Sequence, residues 1–367
     1  MSEFKFSLPY NNDPGTLAEL LALQKFGSSK ISEIYLSGPQ EYSGSGRIVS
    51  SISGDDFIRA VAQIIDHGIG VNLVINTICD GVRWYARDTI EKLLSFLTRM
   101  YKEYGVKSVT IANPVYITEV KQRLPDFEVC ASVLSDIDCV QRAVVAKNAG
   151  ADVITPDANI NRNLKLLTDI KQATGLKLKI MVNEGCLHKC LYRKFHFNYV
   201  SHYSREVGSQ LPEVKDFFAH CLSVTKNDCS QILKSGWIMP ENLKRYAEVT
   251  DFFKIVGRTR PKSFVTRAAR AYMGQEYKGN IFDILCSSLN AFGMTYGAYL
   301  DNSRLEEKGF FQRVSTCRQE CEACNFCGRL AEELLNLKVV TREKLEDMGM
   351  QALADRLETE GKLPFKR

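Results

Sequence analysis

Eight of the twelve cysteines in this 367-residue chain fall into two groups. Cys317, Cys321, Cys324 and Cys327 place four thiols within eleven residues. At such spacing four thiolates can surround a cuboidal iron–sulfide core, as the short runs of bacterial ferredoxins do. Zinc more often takes two CxxC knuckles separated by a longer stretch. An iron–sulfur cluster is therefore the expectation for this run, and zinc is the alternative. The first three cysteines also match CxxxCxxC, by which radical-SAM enzymes hold a cluster with one open iron. That motif normally follows the first barrel strand, whereas here it comes late, and Cys327 can close the fourth position.

The second group is looser: Cys186, Cys190, Cys221 and Cys229. It begins in MVNEGCLHKC, where a strand-like run ends in Asn183 and Glu184. Four of the five histidines, His188, His196, His202 and His220, lie in the same stretch and offer alternative ligands. A second cluster is expected here, with zinc or a purely structural loop as alternatives. Glu184, two residues from Cys186, is the acid/base candidate, because a carboxylate beside a metal centre has its proton affinity shifted by the charge there. Cys79, Cys130, Cys139 and Cys286 sit in apolar runs and read as small buried hydrophobes.

These residues need a scaffold that brings strand ends together. Eight short apolar runs occur at 4–9, 33–38, 72–78, 108–113, 128–133, 152–157, 178–185 and 252–258. Helical periodicity separates them; Ile90, Leu93, Leu94, Leu97 and Met100 share one face. Asp13-Pro14, Asp55-Asp56, Asn113-Pro114 and Asp136 mark helix starts, and Gly27, Gly105 and Gly150 mark helix ends. Eight strand–helix units argue for a (β/α)8 TIM-like barrel, with an open doubly wound sheet as runner-up. The barrel is expected over 1–275, with a cysteine-bearing insertion at 186–235 after the seventh strand. Residues 276–367 form a C-terminal extension with the compact cysteine run and a charged helical tail at 341–367.

In a barrel the C-terminal strand ends converge on one mouth, where active sites form. The polar residues there include Asn76, Asn113, Asp157, Asn183, Glu184 and Arg258. Glu184, Arg258 and Asp157 are the catalytic candidates. Asn76, Asn113, Asn183, Arg193 and His196 are the substrate-binding candidates. Any one of them can instead cap the following helix, as Asn113 before Pro114 would.

The formal charge of +5 permits an RNA or an anionic small molecule and demands neither. The sequence has no apolar stretch of membrane-spanning length and no signal-peptide core in MSEFKFSLPYNND, so a cytoplasmic location is expected. Twelve cysteines without an export signal point to metal rather than disulfides. No GxSxG or HExxH occurs.

At NEGCLHKCLYRKFHFNYVSH (183–202) and at SGWIMPENLKRY (235–246) with TDFFKIVGRTRP (250–261), the chain resembles peptidase family U32, the collagenase-like group. The resemblance covers roughly residues 1–270. It implies a barrel that holds a [4Fe-4S] cluster through Cys186, Cys190, Cys221 and Cys229. It also implies oxygen-independent hydroxylation of an RNA base or of an aromatic ring in ubiquinone synthesis, with prephenate as an oxygen donor. The x3 gap between Cys186 and Cys190 is shorter than in better-known members. The compact C-terminal run lies outside that pattern and suggests a second redox centre served by an electron-donor protein. Peptide hydrolysis is the alternative function, and a non-catalytic, metal-bearing RNA-binding protein is a third.

Overall fold

All eight runs expected as strands are strands in the computed structural model, which describes residues 3–39, 42, 45–204, 217–337 and 355. They are β1 (Lys5–Pro9), β3 (Ser29–Ser37), β4 (Gly70–Ile75), β5 (Ser108–Ile111), β6 (Glu128–Ala131), β7 (Val153–Ile154), β8 (Lys177–Met181) and β9 (Phe252–Lys254). Each pairs in parallel with its neighbour, and β1 pairs with both β3 and β9, so the sheet closes on itself. The result is a (β/α)8 barrel rather than an open sheet. One further strand, β2 (Lys25–Phe26), forms a hairpin with β3. Gly27 turns that hairpin at φ 61° instead of ending the first helix, which stops at Ala22.

The helices between strands start and stop largely where the caps place them. Asp13 caps α1 (Pro14–Ala22) by accepting from the Gly15 N–H at 2.9 Å. Ser53 caps α2 (Gly54–Asp66), with Asp55 and Asp56 in its first turn. The helix α3 (Arg87–Tyr104) buries Leu93, Leu94, Leu97 and Met100 against the sheet, each contributing about 1.5–3 kcal/mol by leaving water. Gly105 then ends it in the left-handed conformation. Asn113 caps α4 (Pro114–Arg123), α5 (Val140–Ala149) ends at Gly150, and α6 (Leu164–Thr174) ends at Gly175. Asp136 does not start a helix: it sits at φ 50°, four residues before α5, and faces Lys194 at 3.1 Å.

The long connection between β8 and β9 is itself helical, with α7 (Arg193–Tyr203), α8 (Phe217–Asn227) and α9 (Ser230–Lys234). A 3-10 turn follows at Pro240–Tyr246. After α10 (Lys262–Gly274) come α11 (Ser287–Tyr296), α12 (Asn302–Glu307), α13 (Phe310–Ser315), α14 (Cys321–Cys324) and α15 (Phe326–Leu334). This extension is stitched to the tip of β8. The Cys286 N–H donates to the Asn183 carbonyl at 2.8 Å, and Ser288 Oγ donates to the Gly185 carbonyl at 2.7 Å. A Cβ on Gly185 would lie 2.5 Å from the Cys286 carbonyl oxygen, so only glycine permits this approach. Further out, Phe310 stacks on the fully buried Trp237 with ring centroids 5.5 Å apart. The helical tail expected at 341–367 lies outside the described residues, apart from position 355. Among the described residues no helix is long and apolar enough to cross a membrane.

Candidate functional site at the barrel mouth and the cysteine cavities

Side chains two apart on a strand share a face, so the barrel interior can be read in layers. Along β3, Glu33 and Tyr35 point inward. Glu33 accepts from Lys179 Nζ on β8 and from Ser7 Oγ on β1, both at 2.6 Å. One layer nearer the mouth, Lys254 Nζ lies 4.0 Å from the centroid of the Tyr35 ring. Arg258 stands above the same ring at 5.5 Å and donates to Ser37 Oγ at 2.5 Å. Burial pushes the Lys254 amine down to about 7, helped by the nearby Lys179 charge. Burial likewise lowers Arg258 to about 10.

Above this layer opens a cavity of about 60 Å³. Its walls include Tyr35, Arg47, Asn76, Glu184, Lys254 and Arg258. Glu184 is 4% exposed; its Oε2 accepts from Arg47 at 3.1 Å, while Oε1 has no hydrogen-bond partner. Arg47 also donates to Ser287 Oγ at 3.3 Å and stacks over Phe197 at 4.7 Å. Burial opposes its charge most strongly, but Glu184 together with Cys186 and Cys286 outweighs that and holds the guanidinium above its ordinary value. Cys286 lines the cavity too, its thiol pushed up to about 11 by burial and by Glu184.

The structure distributes the sequence-derived candidates unevenly. Asn76, Glu184, Arg193 and Arg258 line the cavity. Asn76 holds the Arg47 loop, accepting from the Gly46 N–H at 3.0 Å. Asp157 does not line it: it caps the turn at Ala158–Ile160 and pairs with Arg193 at 2.5 Å, which makes it a positioning residue. Asn113 is taken up by capping α4 and by donating to the Tyr85 hydroxyl at 3.3 Å. Asn183 is fully buried as a cross-link; its Nδ2 donates to the Val256 and Ile284 carbonyls at 3.1 and 3.0 Å. His196 stacks on Phe217 with centroids 5.2 Å apart, and burial lowers it to about 4. These three lie off the cavity wall because a cap, a cross-link and a stack satisfy them first.

Arg47 and Lys254 went unrecognised among the candidates. Lys254 had a signal, a charged residue in the middle of the apolar run FFKIV. Arg47 had little, since it sits in a Gly- and Ser-rich connection between β3 and α2.

Cys317, Cys321, Cys324 and Cys327 all line one small cavity of about 30 Å³, beside Arg313, Lys234 and Phe326. Arg313 donates to Cys324 Sγ at 3.2 Å, and the Gln319 N–H donates to Cys317 Sγ at 3.2 Å. A neighbouring cavity of about 60 Å³ carries Cys317, Cys321 and Cys327 on one side and His188 on another. The Cys186–Cys190 loop therefore abuts the C-terminal run. Arg162 lines this second cavity, its guanidinium 4.9 Å from the centroids of both the Trp237 and the Phe310 rings. It donates to the Trp237 and Leu233 carbonyls at 2.9 and 2.6 Å, and its second terminal nitrogen is buried without a partner.

In the looser group, burial raises the Cys186 and Cys221 thiols; Cys221 adds to the shift at Cys186, and Cys190 to that at Cys221. Cys229 is raised by burial and by Asp228, not by another thiol. Among the described residues no three His, Cys, Asp or Glu side chains converge tightly enough to share one metal ion. A zinc ion needs four donors about 2.0–2.3 Å from a single point. A cuboidal cluster takes one thiolate at each of four corners and so holds its ligands farther apart. Four thiols around one cavity, met by an arginine and a backbone N–H, fit the cluster.

No family model matches the chain. It is 30% identical over 308 residues to an uncharacterized protease of Methanocaldococcus jannaschii, a match spanning 83% of this chain and 89% of the relative. A solved U32 peptidase shares the fold, with a TM-score of 0.52 and 18% identity over 70% of this chain and 94% of that one. With the closed barrel and an alignment running through most of both sequences, the chain belongs to the U32 peptidase family.

Proposed function

We propose that this chain is an iron–sulfur enzyme whose barrel mouth binds a small anionic substrate. The observation that carries the reading is the cavity walled by Cys317, Cys321, Cys324 and Cys327. Those four would hold one cluster, and Cys186, Cys190, Cys221 and Cys229 a second. A bound cluster supplies electron transfer, the chemistry that oxygen-independent hydroxylation or a related oxygen- or sulfur-transfer reaction requires. The chain's own residues do the rest. Arg258, with no carboxylate partner among the described residues, binds the anionic group. Arg47 fixes Glu184 so that its free Oε1 gives or accepts a proton within the cavity. Asp157 holds Arg193 against the wall beside Phe197. An RNA base, an aromatic ring or another small polar group is the substrate class for this mouth.

The test is anaerobic iron and sulfide analysis of the wild type, Cys186→Ala and Cys324→Ala. Two independent clusters predict that each substitution lowers iron by about half. Protein isolated anaerobically with neither iron nor sulfide overturns the reading.

Peptide hydrolysis is the second reading, and the names of the relatives favour it over redox chemistry. The geometry gives it less support. Among the described residues no histidine nitrogen is hydrogen-bonded to a cysteine or serine side chain, the pairing that activates such nucleophiles. Casein cleavage that survives chelation of all iron would establish this reading in place of the first.

A further inference from the structure

Tyr35, Cys286 and Lys254 line the mouth without a task in the proposed reaction, and the surroundings of Lys254 are unusual. Lys254 is 7% exposed, on a strand, with its amine over the face of Tyr35. The carboxylate closest to serving it, Glu33, is already engaged by Lys179 and Ser7 at 2.6 Å each. Among the described residues Lys254 takes part in no ion pair. Its titratable neighbours are the cations Lys179 and Arg258 together with Glu33 and the Cys130 thiol, and burial with the two cations outweighs the opposing pull of the other two. A desolvated lysine beside other cations is the arrangement that leaves an amine uncharged and nucleophilic. Lys254 also lines the cavity.

We propose that Lys254 is a carbonyl-binding amine: it condenses reversibly with a small 2-oxo acid whose carboxylate Arg258 holds. The inference rests on the reading of the mouth as the substrate site and names the class of compound that enters it. Lys254 and Arg258 stand over one aromatic ring, so a carboxylate on the guanidinium sets the adjacent carbonyl carbon towards the amine. The cavity of about 60 Å³ holds roughly four to six waters, the size class of a three-carbon oxo acid.

The step balances without an oxidant or reductant. The Nζ lone pair forms a C–N bond while the carbonyl π pair moves to oxygen. A proton passes from nitrogen to that oxygen, giving a carbinolamine. The C–O bond then breaks, and oxygen leaves as water with a second proton, so amine and carbonyl become imine and water.

The probe is pyruvate with sodium cyanoborohydride at pH 7, applied to the folded full chain and read by peptide mass mapping. Cyanoborohydride reduces the imine to a stable secondary amine, the Nζ-(1-carboxyethyl) adduct. Lys254 should be labelled at least about tenfold faster than any other lysine, because an ordinary lysine has a far smaller free-base fraction at this pH. In Arg258→Gln the half-saturating pyruvate concentration should rise about tenfold or more, while labelling by uncharged propanal persists. Lys254→Met should lose the fast site and leave the slow surface background. Labelling confined to other lysines, or equal saturation by pyruvate in Arg258→Gln, overturns the proposal. Should Lys254→Met fail to fold, the wild-type map and Arg258→Gln decide. Labelling needs neither iron nor turnover, so its failure is distinct from a failure of the iron–sulfur reading.

Discussion

Replacing Lys179 by methionine tests the layered barrel interior most directly. Lys179 and Glu33 form a 2.6 Å ion pair with side-chain exposures of 0% and 7%. Breaking such a pair from one side costs about 3–5 kcal/mol, since a carboxylate is left buried without its counter-charge. The neighbouring Lys254 offers partial relief: with the Lys179 charge gone, it can take up a proton and turn to Glu33. Lys179→Met should therefore cost about 3 kcal/mol, the low end of that range, and Lys179→Met with Lys254→Met about 5 kcal/mol or more. Adding Glu33→Gln to Lys179→Met removes the stranded charge and should recover all but about 1 kcal/mol. Urea unfolding followed by both far-ultraviolet circular dichroism and tryptophan fluorescence reads these differences, with coincident curves licensing the comparison. For a slope of about 3 kcal/mol/M, the first variant shifts the midpoint by about 1 M. The layer argument fails if Lys179→Met lies within about 1 kcal/mol of wild type, or if Glu33→Gln restores nothing.

Three further outcomes follow from described contacts. Arg162→Met removes a fixed positive charge beside Cys317 and Cys327, so the potential of a C-terminal cluster should fall. The drop should be on the order of 50 mV, about 1 kcal/mol for a one-electron couple, measured by redox titration of the iron–sulfur absorbance. Gly185→Ala drives a methyl group into the Cys286 carbonyl and Leu289, which should cost about 1–3 kcal/mol and expose Cys286 to thiol reagents in the folded protein. His196, held near 4 by burial, binds a proton more weakly folded than unfolded. The unfolded chain thus carries the extra proton between about pH 4 and 6.5, and stability must fall as pH drops through that window. Melting temperatures of His196→Phe should be less sensitive to pH there than those of wild type.

Strand positions were legible because parallel strands buried on both faces read as short apolar runs between capped helices. β8 and β9 were found even though Lys179 and Lys254 interrupt their apolar character. The small β2 hairpin escaped because two residues carry no period. At the site, Glu184 and Arg258 were visible as charges at strand ends, where chain direction alone delivers them to the mouth. Asn113 and Asn183 looked equivalent in sequence, yet a local cap and a long-range cross-link engage them. That choice depends on Val115 two residues away in one case, and on Val256 and Ile284 far along the chain in the other. Arg47 was invisible for the same reason: its partner Glu184 is 137 positions away. The gathering of four C-terminal cysteines was legible because their spacing is local. The meeting of that run with the His188 loop was not.

The stitching of the β8 tip to residues 284–288 also sets a timetable. A ribosome adds about 5–20 residues per second, so Lys254, the last residue of the barrel sheet, is made roughly 2–6 s before Cys286. During that interval the sheet can close, but the Asn183 carbonyl and the Gly185 carbonyl have no partners to receive. The mouth is completed only when residues 284–288 dock on the tip of β8.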